Sequence, residues 1–176
     1  MQKVKKIIPN LLTMLRIIVT PIALVLGMNG YYKLLAVICI FVALTDFLDG
    51  TLARKWDVCS ELGAKLDTIG DKTLAFSLLI VLVIKNSNYI YPFILEAVIA
   101  LMNLFIYMKS KVAHSEYMGK VKTWVLFITL ISGTLAFVYP QIKIFVTIGI
   151  PLTIIFQLLT IIFYVRYYLS LQQKKK

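Results

Sequence analysis

Residues 46–71 read DFLDGTLARKWDVCSELGAKLDTIGD, and the rest of the chain is organised around them. The stretch holds six of the eight acidic residues in a 176-residue chain that is 60% hydrophobic, among them Asp46, Asp49, Asp67 and Asp71. Carboxylates in such surroundings are costly unless cations or protein dipoles pair with them, and by default they mark a functional site. Asp46, Asp49, Gly50 and Ala53 stand at i, i+3, i+4 and i+7, one face of a helix. Gly63, Asp67 and Asp71 stand at i, i+4 and i+8, one face of a second helix. The short polar segment from Lys55 to Leu62 turns the chain back, so two antiparallel helices can point these carboxylates at one another. Adjacent anions coexist only when protons or metal neutralise them. An all-oxygen donor set favours a hard divalent cation, Mg2+ or Mn2+, and suits a pair of them.

Composition sets the environment. With 15% charged residues and a mean hydropathy of +0.87, the chain reads as one polytopic membrane domain over residues 1–176. The net charge of +11 does not point to nucleic acid, because the lysines and arginines sit in short stretches between apolar runs. Topology and anionic headgroups account for them. Cys39 in an apolar run and Cys59 in a loop form neither a zinc site nor a disulfide framework. The start, MQKVKKIIPN, leads into a long apolar run with no small-residue cleavage site, so it is not expected to be a cleavable signal.

Six apolar spans are expected, giving an all-α polytopic bundle of six transmembrane helices. Residues 1–8 read as a basic interfacial segment, and Pro9 opens a first span that runs to Met28. Asn29-Gly30 makes a turn; a second span begins near Tyr31 and ends in the aspartate motif. A third starts near Glu61 and is apolar from Leu74 to Ile84, followed by a polar turn at Lys85 to Asn88. Pro92 to Met108 forms the fourth, and a basic loop extends from Lys109 to Lys122. The fifth covers Thr123 to Val138. The sixth runs from Ile144 to Tyr164 with a kink at Pro151, leaving a basic tail from Arg166. Lys3, Lys5, Lys6, Arg54, Lys55, Lys109, Lys111, Lys120, Lys122, Arg166 and the terminal lysines then share one side, against Lys33, Lys85 and Lys143 on the other. The positive-inside rule makes the first side cytoplasmic, with both termini and the aspartates on it.

The spacing Asp-x2-Asp-Gly-x2-Ala-Arg-x8-Gly-x3-Asp-x3-Asp is filled without a gap by Asp46, Asp49, Gly50, Ala53, Arg54, Gly63, Asp67 and Asp71. It resembles the signature of the CDP-alcohol phosphatidyltransferases, integral membrane enzymes of phospholipid synthesis. That resemblance implies transfer of a phosphatidyl group from CDP-diacylglycerol to an alcohol, with release of CMP. It implies that Asp46, Asp49 and Asp67 hold two metal ions on the pyrophosphate, while Asp71 touches a metal and takes the acceptor's proton. Gly50, Ala53 and Gly63 leave room for the nucleotide, Arg54 binds phosphate, and Ser60 is a further nucleotide contact by the same analogy. A homodimer is implied by the resemblance alone.

Other residues carry two readings each. Asn10 and Arg16 lie in PNLLTMLR, which is similar to the Pro-Asn-x-Leu-Thr-x-x-Arg of the phosphatidylglycerophosphate and cardiolipin synthase branch. Asn10 is either a cap or a nucleotide contact; Arg16 either snorkels to headgroups or serves the substrate phosphates. Glu96, Asn103 and Tyr107 share a face of the fourth span, and Glu96 calls for a partner such as Arg16 or Lys72. Lys120 and Lys122, in Gly119-Lys-Val-Lys-Thr123, resemble the same branch's acceptor-side lysines or are plain topology charges. The branch carries Arg-Glu where this chain has Leu95-Glu96, which leaves the acceptor open among glycerol 3-phosphate, inositol phosphate, serine or another polar alcohol. His114 reads as a solvated loop residue. Two rival classes are a prenyltransferase, which needs a second late aspartate cluster, and a divalent-cation transporter, which needs a polar path through the bilayer.

Overall fold

The computed structural model describes the backbone of residues 2–55, 61–110 and 117–173, and side chains at 14–45, 69–106, 108, 119–170 and 172. Six α-helices follow in order: α1 (Gln2–Met28), α2 (Tyr32–Lys55), α3 (Glu61–Lys85), α4 (Ile90–Ser110), α5 (Tyr117–Ala136) and α6 (Lys143–Gln173). α1 ends where Gly30 takes φ +82, a left-handed conformation that costs glycine nothing. Tyr31 N–H then donates to Leu26 C=O at 3.0 Å and Gly30 N–H to Gly27 C=O at 3.3 Å, satisfying two carbonyls at the helix end. Asn86 Oδ1 accepts from Asn88 N–H and caps the short 3-10 turn Ser87–Tyr89, and Pro140 begins a second such turn before α6.

Three boundaries differ from the expectations. α1 begins at Gln2 and runs on through Pro9, so residues 2–8 are helical and continuous with the first apolar run. α5 begins at Tyr117, which puts Lys120 and Lys122 inside a helix and shortens the basic loop; lysine is a good helix former, so charge did not end the helix. α6 continues through Pro151 to Gln173, well past Tyr164 and the start of the expected basic tail.

α3 is the central helix. Leu74, Ala75, Leu78, Leu79, Val81 and Leu82 are all buried, because α1, α4 and α5 pack around it. α1 also packs on α2, α6 on both α4 and α5, and α2 on α5. The buried set is rich in polar groups, among them Thr129, Thr134, Thr153, Gln157 and Thr160. The exposed set is apolar, as with Ile18 and Val25 on α1, Leu101 and Leu104 on α4, and Ile148 and Ile155 on α6. Apolar exteriors of this extent suit a hydrocarbon surrounding better than water. Two stretches, Ser87–Ile106 and Pro140–Ser170, are long and apolar enough to cross a membrane; Met14–Met28 and Tyr32–Thr45 are shorter apolar helices.

Between hydrocarbon-facing helices the attraction comes from close approach and polar pairing. α5 and α6 show both, with Thr129 and Thr153 hydroxyls 2.9 Å apart beside Gly149. A Cβ on Gly149 would sit 2.8 Å from Thr129 Oγ1. Helix propensity favours Gly149→Ala by about 1 kcal/mol, whereas overpacking costs roughly 1–3 kcal/mol. The substitution is therefore expected to lower the Tm of purified protein. Adding Thr129→Ala should recover part of the loss, a non-additivity read from a double-mutant cycle.

Candidate active site

The first element of the site ties α1 to α3. Arg16 is only 1% exposed, and its Nη1 donates to Asp71 Oδ1 at 2.8 Å. Thr20 Oγ1 donates back to the Arg16 carbonyl at 2.9 Å, which holds that turn of α1. Arg16 does not snorkel to a headgroup layer. Its guanidinium is spent on a carboxylate in the interior, where an unpaired charge would be severely penalised. The Asp71 side chain is 27% exposed, so the pair faces open space on one side.

The second element joins α4, α5 and α6. Lys122 Nζ donates to both Glu96 oxygens, at 2.6 and 2.8 Å, and both side chains are buried. Gln157 Nε2 donates to Glu96 Oε2 at 3.1 Å and to the Pro92 carbonyl at 3.0 Å. The expected partners of Glu96, Arg16 or Lys72, are thus replaced by Lys122, because the earlier start of α5 carries that lysine into the bundle. Gln157 was not singled out in the sequence. The available signal was an isolated amide in the apolar run from Ile154 to Leu159.

A cavity of about 450 Å³ lies between the two elements. Arg16, Asp71, Lys72, Asn103, Lys120 and Lys122 give it a polar end; apolar residues line the remainder. α2 and α3 both contribute to its wall, the former through Cys39, Val42 and Ala43 and the latter from Asp71 to Leu78. The structure therefore brings together Arg16, Asp71, Lys120 and Lys122 of the expected site residues, with Glu96 behind Lys122.

Asp46, Asp49, Gly50, Ala53 and Arg54 fall on the last turns of α2, and Gly63 and Asp67 on the first turns of α3. Their side chains, and that of Asn10 on α1, lie outside the described residues, as do Ser60 and His114 altogether. Among the described residues no group of three or more metal-ligating side chains occurs. As a donor set, Asp46, Asp49, Asp67 and Asp71 are all hard oxygens on two consecutive helices, a chemistry that fits Mg2+ or Mn2+ and does not fit soft metals. The transporter's polar path is not seen along described α3, whose interior below Asp71 is Leu74, Ala75, Leu78 and Leu82 with the single hydroxyl of Ser77, itself bonded to the Leu74 carbonyl.

A family model described as CDP-alcohol phosphatidyltransferase matches residues 6–168. The CDP-diacylglycerol–glycerol-3-phosphate 3-phosphatidyltransferase of Aquifex aeolicus is 28% identical over 138 residues, covering 75% of this chain and 78% of that protein. Its namesake in Rickettsia felis is 30% identical over 129 residues, 69% of this chain and 71% of its own length. A cardiolipin synthase (CMP-forming) / mitochondrial hydrolase fusion protein of Schizosaccharomyces pombe is 38% identical over 80 residues, 46% of this chain and 13% of that one.

Lys122 has two separable roles to test. If it serves Glu96, Lys122→Met strands a buried carboxylate and costs about 3–5 kcal/mol, read as a large fall in Tm. Glu96→Gln added to Lys122→Met should restore most of it. A Lys122→Met protein with unchanged Tm and a raised acceptor KM would instead make the lysine a direct acceptor contact.

Proposed function

The chain belongs to the CDP-alcohol phosphatidyltransferase family, and from that premise we propose that it moves a phosphatidyl group from CDP-diacylglycerol to glycerol 3-phosphate. The products are phosphatidylglycerophosphate and CMP. The choice of acceptor is supported by the names of the Aquifex aeolicus and Rickettsia felis relatives, each matched over more than two thirds of its length. The observation that carries the reading is Asp71, a carboxylate set by a buried arginine at the edge of a cavity whose rim also holds Lys72 and Lys120.

In this reaction the acceptor hydroxyl oxygen forms a bond to the phosphorus that carries diacylglycerol. The bond from that phosphorus to the CMP oxygen breaks, and CMP leaves with the electron pair. Asp71 accepts the hydroxyl proton as the new bond forms. Arg16 keeps the Asp71 carboxylate turned to the cavity by fixing one of its oxygens. Lys72 and Lys120 draw the acceptor phosphate to the same end, and Lys122, held by Glu96, completes that wall. Mg2+ or Mn2+, held by Asp46, Asp49, Asp67 and Asp71, would offset the charge of the pyrophosphate and of the departing CMP. Arg54 and the small residues Gly50, Ala53 and Gly63, with Asn10 and Ser60, would form the nucleotide side. We place the site and both termini on the cytoplasmic face, where the basic segments gather, and take the enzyme to work as a homodimer, as the family resemblance implies.

The test is CMP release by purified protein with CDP-diacylglycerol and Mg2+, against glycerol 3-phosphate, inositol phosphate, inositol and serine in separate reactions. Release with glycerol 3-phosphate is expected, with Asp71→Asn reducing the rate by roughly 10²–10⁴-fold, the usual worth of a general base. Chelation of divalent ions should stop turnover, and Mg2+ should restore it. Release with serine or inositol phosphate alone would keep the reaction class and replace the acceptor.

A further inference from the structure

The end of the bundle away from Asp71 carries a second hollow, and its charges find no answer within the described protein. α2 begins, α3 ends and α6 begins at this end, and each bears an exposed lysine there, Lys33, Lys85 and Lys143 respectively. The hollow has a volume of about 570 Å³ and is open to the surroundings. Lys85 and Lys143 both line it, with Asn86 and Ser87 as polar neighbours and Phe137 and Pro140 in its apolar lining. Among the described side chains the carboxylates are Asp71 and Glu96. Asp71 lies about 21 Å along α3 from Lys85 by helix rise, and Glu96 is bound by Lys122. Lys85 closes α3, where the helix dipole favours a cation; Lys143 opens α6, where it does not. Two like charges thus share one concavity, and the start of α6 adds to their field. The surroundings narrow the choice of ligand. Phe137, Tyr139, Ile144 and Phe145 are exposed at this end, so hydrocarbon and headgroups meet at the hollow.

We propose that this hollow binds the phosphate of an anionic phospholipid between Lys85 and Lys143. Charge-assisted bonds from the two ammonium groups hold the phosphate, and Asn86 and Ser87 offer further donors. The acyl chains run down the apolar exterior that begins at Phe137. A zwitterionic headgroup fits less well, because its own ammonium stands against two lysines. The bound lipid joins the end of α3 to the start of α6, on the face opposite the reaction. The site stands apart from the transfer reading, since none of its residues lines the cavity at Asp71.

The test is native mass spectrometry of the full chain, stripped of lipid in neutral detergent and titrated with phosphatidylglycerol or phosphatidylcholine. Lys85→Gln with Lys143→Gln is expected to weaken one bound phosphatidylglycerol per chain by roughly 30-fold, the joint worth of two lysines near an anionic surface. Each substitution alone should weaken it about fivefold. Lys85→Arg with Lys143→Arg keeps both charges and should keep the lipid. Lys33→Gln removes a cation from the same end but outside the hollow, and should leave binding as it was. Phosphatidylcholine should bind alike to every variant, and excess inorganic phosphate should not displace phosphatidylglycerol. Equal binding by parent and double variant would overturn the site. So would an equal loss in Lys33→Gln, which would reduce the effect to general surface charge, or a lysine-dependent site that takes phosphatidylcholine as readily. Displacement by inorganic phosphate would give the hollow to a free anion and overturn the lipid assignment. An unchanged Tm in phosphatidylcholine shows that the double variant is folded; if it is not, the single substitutions and the arginine pair decide the question.

Discussion

A guanidinium with almost no solvent contact has to be matched by a carboxylate, and Arg16 and Asp71 meet that constraint across the α1–α3 contact. Much of the site depends on this pairing. It sets the rotation of α1 about its axis, because Arg16 must face inward. It fixes the height of α1 against α3, since the bond is made at a single level. Asp71 in turn marks where α3 changes from a polar first half to the buried apolar half that begins at Leu74. The same contact that joins the helices thus places the proposed proton acceptor at the boundary between charge and hydrocarbon.

The second polar cluster solves a related problem by different means. Glu96 lies on the apolar helix α4 and draws in Lys122 from α5 and Gln157 from α6. Hydroxyls on α5 and α6 add shorter links, and large apolar side chains are exposed along all six helices. Polar groups inside and apolar groups outside invert the arrangement of a water-soluble domain. This inversion lets a cavity with a charged head and an apolar body exist between α2, α3 and α5. One substrate of the proposed reaction has that same division, a nucleotide diphosphate joined to two hydrocarbon chains.

Much of this was legible in the sequence. The aspartate spacing placed two helices, the turn expected between them lies outside the described residues, and Asn29-Gly30 and Pro140 marked two turns that the structure keeps. Register put Asp71 on one face with Asp67, its particular role came from the family resemblance, and the structure sets it on the cavity wall. The partner of each buried charge was not legible. Arg16 and Lys72 were equally available to Glu96 on sequence spacing, and helix rotation and depth, which local pattern does not encode, sent Arg16 to Asp71 and Lys122 to Glu96. The ends of α5 and α6 were misjudged for a shared reason. Lysine, arginine and glutamine interrupt hydropathy without interrupting a helix, so apolar runs understate helix length where the chain leaves the hydrocarbon.

The central claim is direct transfer of the phosphatidyl group to the acceptor's own oxygen. It is tested by running the reaction with glycerol 3-phosphate labelled with 18O at its free primary hydroxyl and following the label by mass spectrometry. The account predicts that the label is retained in the bridging oxygen of phosphatidylglycerophosphate and that CMP stays unlabelled. Label in CMP, or a product that has lost it, would show that a different bond is made or broken and would contradict the role given to Asp71.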